Sequence, residues 1–169
     1  MGITIHYRGR VNPKLKIREF YIYCKLICDE KKWLISSMEE TSGHAMLSRM
    51  DGEIPYDGNL VSFAIDAHEN CEPIRFQITS EGYFNNWCKT QFAPLEVHTG
   101  IVDLFAQAKI KLSELVIRDE GGYWETRDAG TLEERIVECY MEIQKTKEDD
   151  PEYYGPVKSE DGRITDLVK

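Results

Sequence analysis

Residues 59–98 read NLVSFAIDAHENCEPIRFQITSEGYFNNWCKTQFAPLEVH. Alternation at period two marks strands here. Val61, Phe63, Ile65 and Ala67 fall on one face, against Ser62, Ala64, Asp66 and His68 on the other. Ile74, Phe76 and Ile78 then share a face opposite Arg75, Gln77 and Thr79. The link 68–73 carries turn formers, and Pro73 suits the first residue of a strand. Ser80-Glu81-Gly82 marks a second turn, and a third strand over roughly 83–92 completes an antiparallel meander. A sheet with one apolar face needs cover, and helices elsewhere in the chain supply it.

Working outward, Ile3, Ile5 and Tyr7 alternate with Thr4, His6 and Arg8, so residues 2–8 form a strand. Asn12-Pro13 has the form of a helix start, with Asn as N-cap and Pro at the first helical position. The helix that follows places Ile17, Phe20, Tyr21, Cys24, Ile27 and Cys28 on one apolar stripe. Trp33-Leu34-Ile35 is a short strand, giving a β-α-β unit if the two strands are parallel neighbours. Residues 37–58, broken by Ser42-Gly43, Asp51-Gly52, Pro55 and Asp57-Gly58, read as a long loop with at most one short strand.

Beyond the meander, a helix from Val97 to about Leu112 buries Ile101, Leu104, Phe105, Ala108 and Leu112, and Leu115-Val116-Ile117 is a strand. Gly121-Gly122 marks a tight turn. Thr131 to Glu134 reads as a capping box for a last helix over about 131–146, with Ile136, Val137, Tyr140 and Ile143 inward. The fold class expected is α+β. A largely antiparallel sheet of five to seven strands carries three packed helices in a single domain, 1–146. Residues 147–169 form a polar C-terminal tail, mobile or loosely docked.

With 41% hydrophobic and 30% charged residues the composition is globular. The formal net charge of −9 argues against non-specific binding to nucleic acid or anionic membrane. Residues 1–32 nevertheless carry +5, leaving −14 for the rest. No apolar run of about 18 residues is present, so no transmembrane helix is expected. The N-terminus lacks a signal-peptide layout, and five cysteines without dense spacing fit reduced thiols, so a cytoplasmic location is expected.

Two constellations carry candidate chemistry. His68 and Cys71, with Cys88 and His98, offer zinc-ligand types that a hairpin could bring together. The alternative is buried thiols and ordinary polar histidines. Cys88 beside His98 can also be drawn as a nucleophile–base pair. Cys24 and Cys28, four apart on the first helix, read as core thiols. In the second constellation, Asp119, Glu120, Glu125 and Asp128 surround Gly121-Gly122-Tyr123-Trp124. On a hairpin, Tyr123 and Trp124 point to opposite faces, leaving one aromatic exposed inside an acidic rim suited to a basic protein. Lys14, Lys16, Arg18, Lys25, Lys31 and Lys32 make a solvated basic face on the first helix. The function expected is a cytoplasmic, non-enzymatic protein-binding module, immunity- or regulator-like. It would use no cofactor and bind a basic protein. The alternative is a small enzyme, zinc-dependent or metal-free, built on His68, Cys71, Cys88 and His98.

Overall fold

A computed structural model describes residues 2–48 and 53–169. The chain runs β1 (Thr4–Val11), α1 (Ile17–Lys31), β2 (Leu34–Ile35), β3 (Glu39–Ser48), β4 (Ile54–Asp66), β5 (Ile74–Thr79) and β6 (Tyr83–Lys89). It continues with α2 (Leu95–Ala108), a 3-10 turn (Lys109–Lys111), β7 (Leu112–Asp119), α3 (Tyr123–Thr126), α4 (Ala129–Asp149), β8 (Val157–Lys158) and β9 (Ile164–Thr165). This is α+β with antiparallel strands, as the alternation predicts. The strands divide between two main sheets, however. One is three-stranded in the order β6-β1-β7; the other is four-stranded, with β4 pairing β2, β3 and β5. The β8–β9 ribbon is separate.

The expected meander splits at its second turn. β4 and β5 pair in the register Phe63–Phe76, but β6 leaves to pair with β1, from Thr4–Lys89 to Arg10–Tyr83. The turn shows why. Gly82 N–H donates to the Thr79 carbonyl at 2.9 Å, while its own carbonyl accepts from Val11 N–H at 2.9 Å. Its φ of 93° is left-handed, which suits glycine. β1 and β2 lie in different sheets, so no parallel β-α-β unit forms.

The core is an aromatic cluster between the sheets and the first two helices. Phe20 of α1 meets Phe63, Phe76 and Phe84, and Phe105 of α2 meets Tyr7 and Phe76. Phe20, Phe63, Ile65, Phe76, Ile101 and Phe105 are all buried, as the periodicity predicts. Burying each such side chain contributes roughly 1.5–3 kcal/mol. Tyr7 brings its hydroxyl into this core and donates it to the Arg75 carbonyl at 2.7 Å, so that hydroxyl is satisfied.

Three local expectations are corrected. Residues 37–58 are no loop: β3 and β4 pair over Glu39–Ser62 to Ser48–Ile54, with Pro55 at an edge pairing opposite Met46. The Asp51-Gly52 part of that reading lies outside the described residues. Asn12 does not cap α1. It closes a turn, accepting Leu15 N–H on its carbonyl and Lys14 N–H on Oδ1, and α1 begins at Ile17 with Glu19 reaching back to Lys16 N–H. α4 starts before Thr131, because Asp128 is the cap: its Oδ1 accepts Gly130 N–H at 2.9 Å.

The C-terminal residues lie against β6. Arg163 donates to Glu72 Oε2, the Trp87 carbonyl and Asn86 Oδ1, and stacks 3.9 Å above the Trp87 ring. Ile164 is buried, and Lys89 Nζ pairs with Asp166 at 2.8 Å. No helix among the described residues is long and apolar enough to cross a membrane.

Candidate functional site

β7 sets the acidic segment. Leu115, Ile117 and Asp119 share its inner face, and Val116, Arg118 and Glu120 follow the other. Asp119 is therefore carried into the interior, where its side chain is wholly buried. Its Oδ2 is 3.1 Å from His98 Nε2 and accepts Trp124 N–H at 2.9 Å; its Oδ1 accepts Gly121 N–H at 2.7 Å. Burial would raise the Asp119 carboxyl, but the His98 hydrogen bond and charge and the two N–H groups outweigh it and hold it below the usual carboxylate range. The other His98 nitrogen, Nδ1, is 2.7 Å from Thr90 Oγ1. This chain of contacts ties β6, α2, β7 and α3 together.

Glu120 turns the opposite way. Its Oε1 lies 3.3 Å from His6 Nε2, and Oε2 accepts Thr4 N–H at 3.0 Å. Burial again opposes ionisation, and His6 and Thr4 outweigh it, so this carboxyl also sits below its usual range. Adjacent carboxylates thus hold two histidines on opposite faces of one strand end.

The expected acidic hairpin is absent. Residues 123–126 form a helical turn entered through Gly122 at φ 74°, where a Cβ would meet Arg135 Nη1 at 2.6 Å. Tyr123 and Trp124 are both half-buried against the core, and the Arg127 guanidinium lies 5.7 and 5.3 Å from their ring centres. No free aromatic stands inside a ring of charge. Asp119 is internal, Glu120 is tied to β1 and Asp128 caps α4. Hydrogen bonds from Thr131 and Gly130 lower the Asp128 carboxyl. Glu125 is exposed.

The four candidate metal ligands do not converge. Cys71 and Cys88 meet, with sulfurs 3.6 Å apart. His98 has both ring nitrogens engaged by Thr90 and Asp119. His68 lies past the end of β4 and accepts Asn70 N–H on Nδ1. Among the described residues no three His, Cys, Asp or Glu side chains gather to hold an ion. The Cys88–His98 nucleophile pairing also lacks its geometry, since Cys88 Sγ donates to the Glu72 carbonyl.

The surface that the sequence reading missed is α4. Its frame is set by Leu132, buried beside Gly121, and by Arg135, which donates to the Glu120 carbonyl at 3.0 Å. That frame turns Val137 and Tyr140 outward, not inward as expected, and leaves Val137, Tyr140 and Met141 at 49%, 46% and 67% exposure. The Tyr140 ring makes a T-shaped contact with Phe92, ring centres 5.9 Å apart. Glu134, Glu138 and Glu142, four apart, make an exposed acidic ridge alongside. The signal was present in the sequence: Val137, Tyr140 and Met141 follow the i, i+3, i+4 spacing of a second apolar face. No family model, curated protein or solved structure matches this chain.

Proposed function

We propose that the chain is a non-enzymatic binding module that docks a protein partner through the outward face of α4. The observation that carries this reading is the Val137–Tyr140–Met141 stripe beside the Glu134–Glu138–Glu142 ridge. Apolar residues at helical spacing are the anchors of helix-in-groove recognition. An acidic flank selects a groove rimmed by lysine and arginine, and steers its approach. The partner is therefore a basic protein with an apolar groove.

Photo-crosslinking tests this. A benzophenone amino acid replaces Met141 in one variant and Leu26 of α1, 57% exposed, in a control. In extracts of the producing cells, a discrete adduct with a basic protein at position 141 and not at 26 is expected. It should vanish when Glu134, Glu138 and Glu142 become Gln. Equal adducts at both positions, or an adduct only with a second copy of the chain, would overturn the proposal.

A further inference from the structure

Between the strand end at β4 and the edge of β6 lies a pair of thiols that the binding reading does not use. Cys71 and Cys88 are 1% and 0% exposed, and their sulfurs are in contact at 3.6 Å. Both S–H groups are directed at one acceptor, the Glu72 carbonyl, from 3.2 and 3.0 Å. Among the described residues no other two thiols touch. The pair is roofed by the C-terminal segment. Lys158 Nζ donates to the Glu69 and Cys71 carbonyls at 2.6 and 3.1 Å. The Glu72 carboxylate accepts Ile164 N–H at 2.8 Å, Arg163 Nη1 at 3.0 Å and Lys89 N–H at 2.9 Å. The residue whose carbonyl holds the two thiols therefore also anchors the tail.

We infer that Cys71 and Cys88 are a peroxide-oxidisable dithiol that the docked segment 158–164 keeps closed. When the segment lifts, the Cys71 sulfur attacks the O–O bond of hydrogen peroxide, forming a sulfenic acid; the displaced hydroxide takes up the Cys71 thiol proton and leaves as water. The Cys88 sulfur then forms the S–S bond at Cys71, and the sulfenic oxygen leaves as water once the remaining thiol proton is taken up. Overall, two thiols and one peroxide give one disulfide and two waters. Burial holds the Cys88 thiol well above its usual range. Lys158 of the segment sits on the Cys71 carbonyl, so lifting the segment uncovers Cys71 first. The new bond encloses β5 and most of β6 and removes both S–H donors from the Glu72 carbonyl. Cys24 and Cys28 differ in setting: both stand on the buried face of α1.

The test treats the folded full-length chain with hydrogen peroxide, alkylates the remaining thiols in denaturant and maps the products by mass spectrometry. The expected product is a Cys71–Cys88 linkage, lost in Cys71→Ser. Arg163→Ala should speed its formation by about tenfold, because removing a charge-assisted tether raises the open population. Lys158→Ala, on an exposed residue, should speed it less and keeps the test open if Arg163→Ala fails to fold. A linkage at another pair overturns the inference, as does oxygen addition at Cys139 with the pair still reduced. Rates unchanged in every folded tail variant would likewise overturn it.

Discussion

α2 and α4 are the two long helices in the later part of the chain, and they treat apolar side chains in opposite ways. α2 has 14 residues and buries eight of them, from Val97 to Ala108. α4 has 21 residues and buries Leu132 alone. α2 is held by packing and by the His98–Asp119 contact beneath it. α4 is held at points: the Asp128 cap, the Arg135 bond to the Glu120 carbonyl, and Lys147 Nζ on the Gly155 carbonyl at 2.7 Å. Helices in proteins usually draw stability from an apolar face laid on a core. In α4 part of that face points away from it. The difference teaches that α4 leaves Val137, Tyr140 and Met141 exposed, and the proposed docking rests on that exposure.

The comparison can be broken where it is strongest. Phe105→Ala on α2 should cost roughly 3–5 kcal/mol by urea unfolding, since it empties the centre of the aromatic cluster. A cost below about 1 kcal/mol would mean that α2 is not the core helix. Asp119→Asn should cost about 2–4 kcal/mol at neutral pH, because three donors lose their charged acceptor. The sign with pH follows from the lowered carboxyl. A depressed folded-state value gives stability that is present above the unfolded value and lost as pH falls through the folded one. The gap between wild type and Asp119→Asn should therefore be constant from pH 7 to 5 and close below about pH 3.8, the ordinary aspartate value. A gap that widens in acid would contradict the geometry. Glu120→Gln, half-exposed and tied only to His6 and Thr4, should cost less, about 0.5–1.5 kcal/mol. Met141→Ser should be smallest, within about 0.5 kcal/mol, since an exposed side chain away from special features contributes little to folding.

Much of the fold was legible because its signal is periodic. Phe63, Ile65, Phe76 and Ile78 alternate, and Ile101, Leu104, Phe105 and Ala108 recur at helical spacing, so strands, helix and core followed. β3 was hidden because Glu39 to His44 are polar on both faces and Gly58 and Pro55 interrupt its partner strand. Such two-sided polar strands give no alternation to read. The split into two sheets rests on the pairing of β6 with β1, from Thr4–Lys89 to Arg10–Tyr83, partners distant in sequence. For the candidate site, clustering of carboxylates was misleading, while phase would have been informative. Leu115, Ile117 and Asp119 are two apart, which points Asp119 inward and makes it the partner of a buried histidine. His98 carries a similar clue, standing three before Ile101 on the same stripe. The outward stripe of α4 is masked in the sequence because Val137 and Tyr140 also fit an inner face with Ile136 and Ile143. Their true phase is fixed by Leu132 and Arg135, through contacts with Gly121 and Glu120 that no local pattern encodes.

The most direct test of the outward face measures binding rather than folding. Using the basic protein captured at position 141, affinity is titrated at low and high salt for wild type, Met141→Ser and the Glu134→Gln, Glu138→Gln, Glu142→Gln triple variant. Met141→Ser should weaken binding about tenfold or more with an unchanged melting temperature, as loss of an anchor side chain does. The triple variant should slow association chiefly at low salt, where charge steering is least screened. Affinity indifferent to Met141 and to the three glutamates, in variants that still fold, would contradict the assignment of α4 as the docking surface.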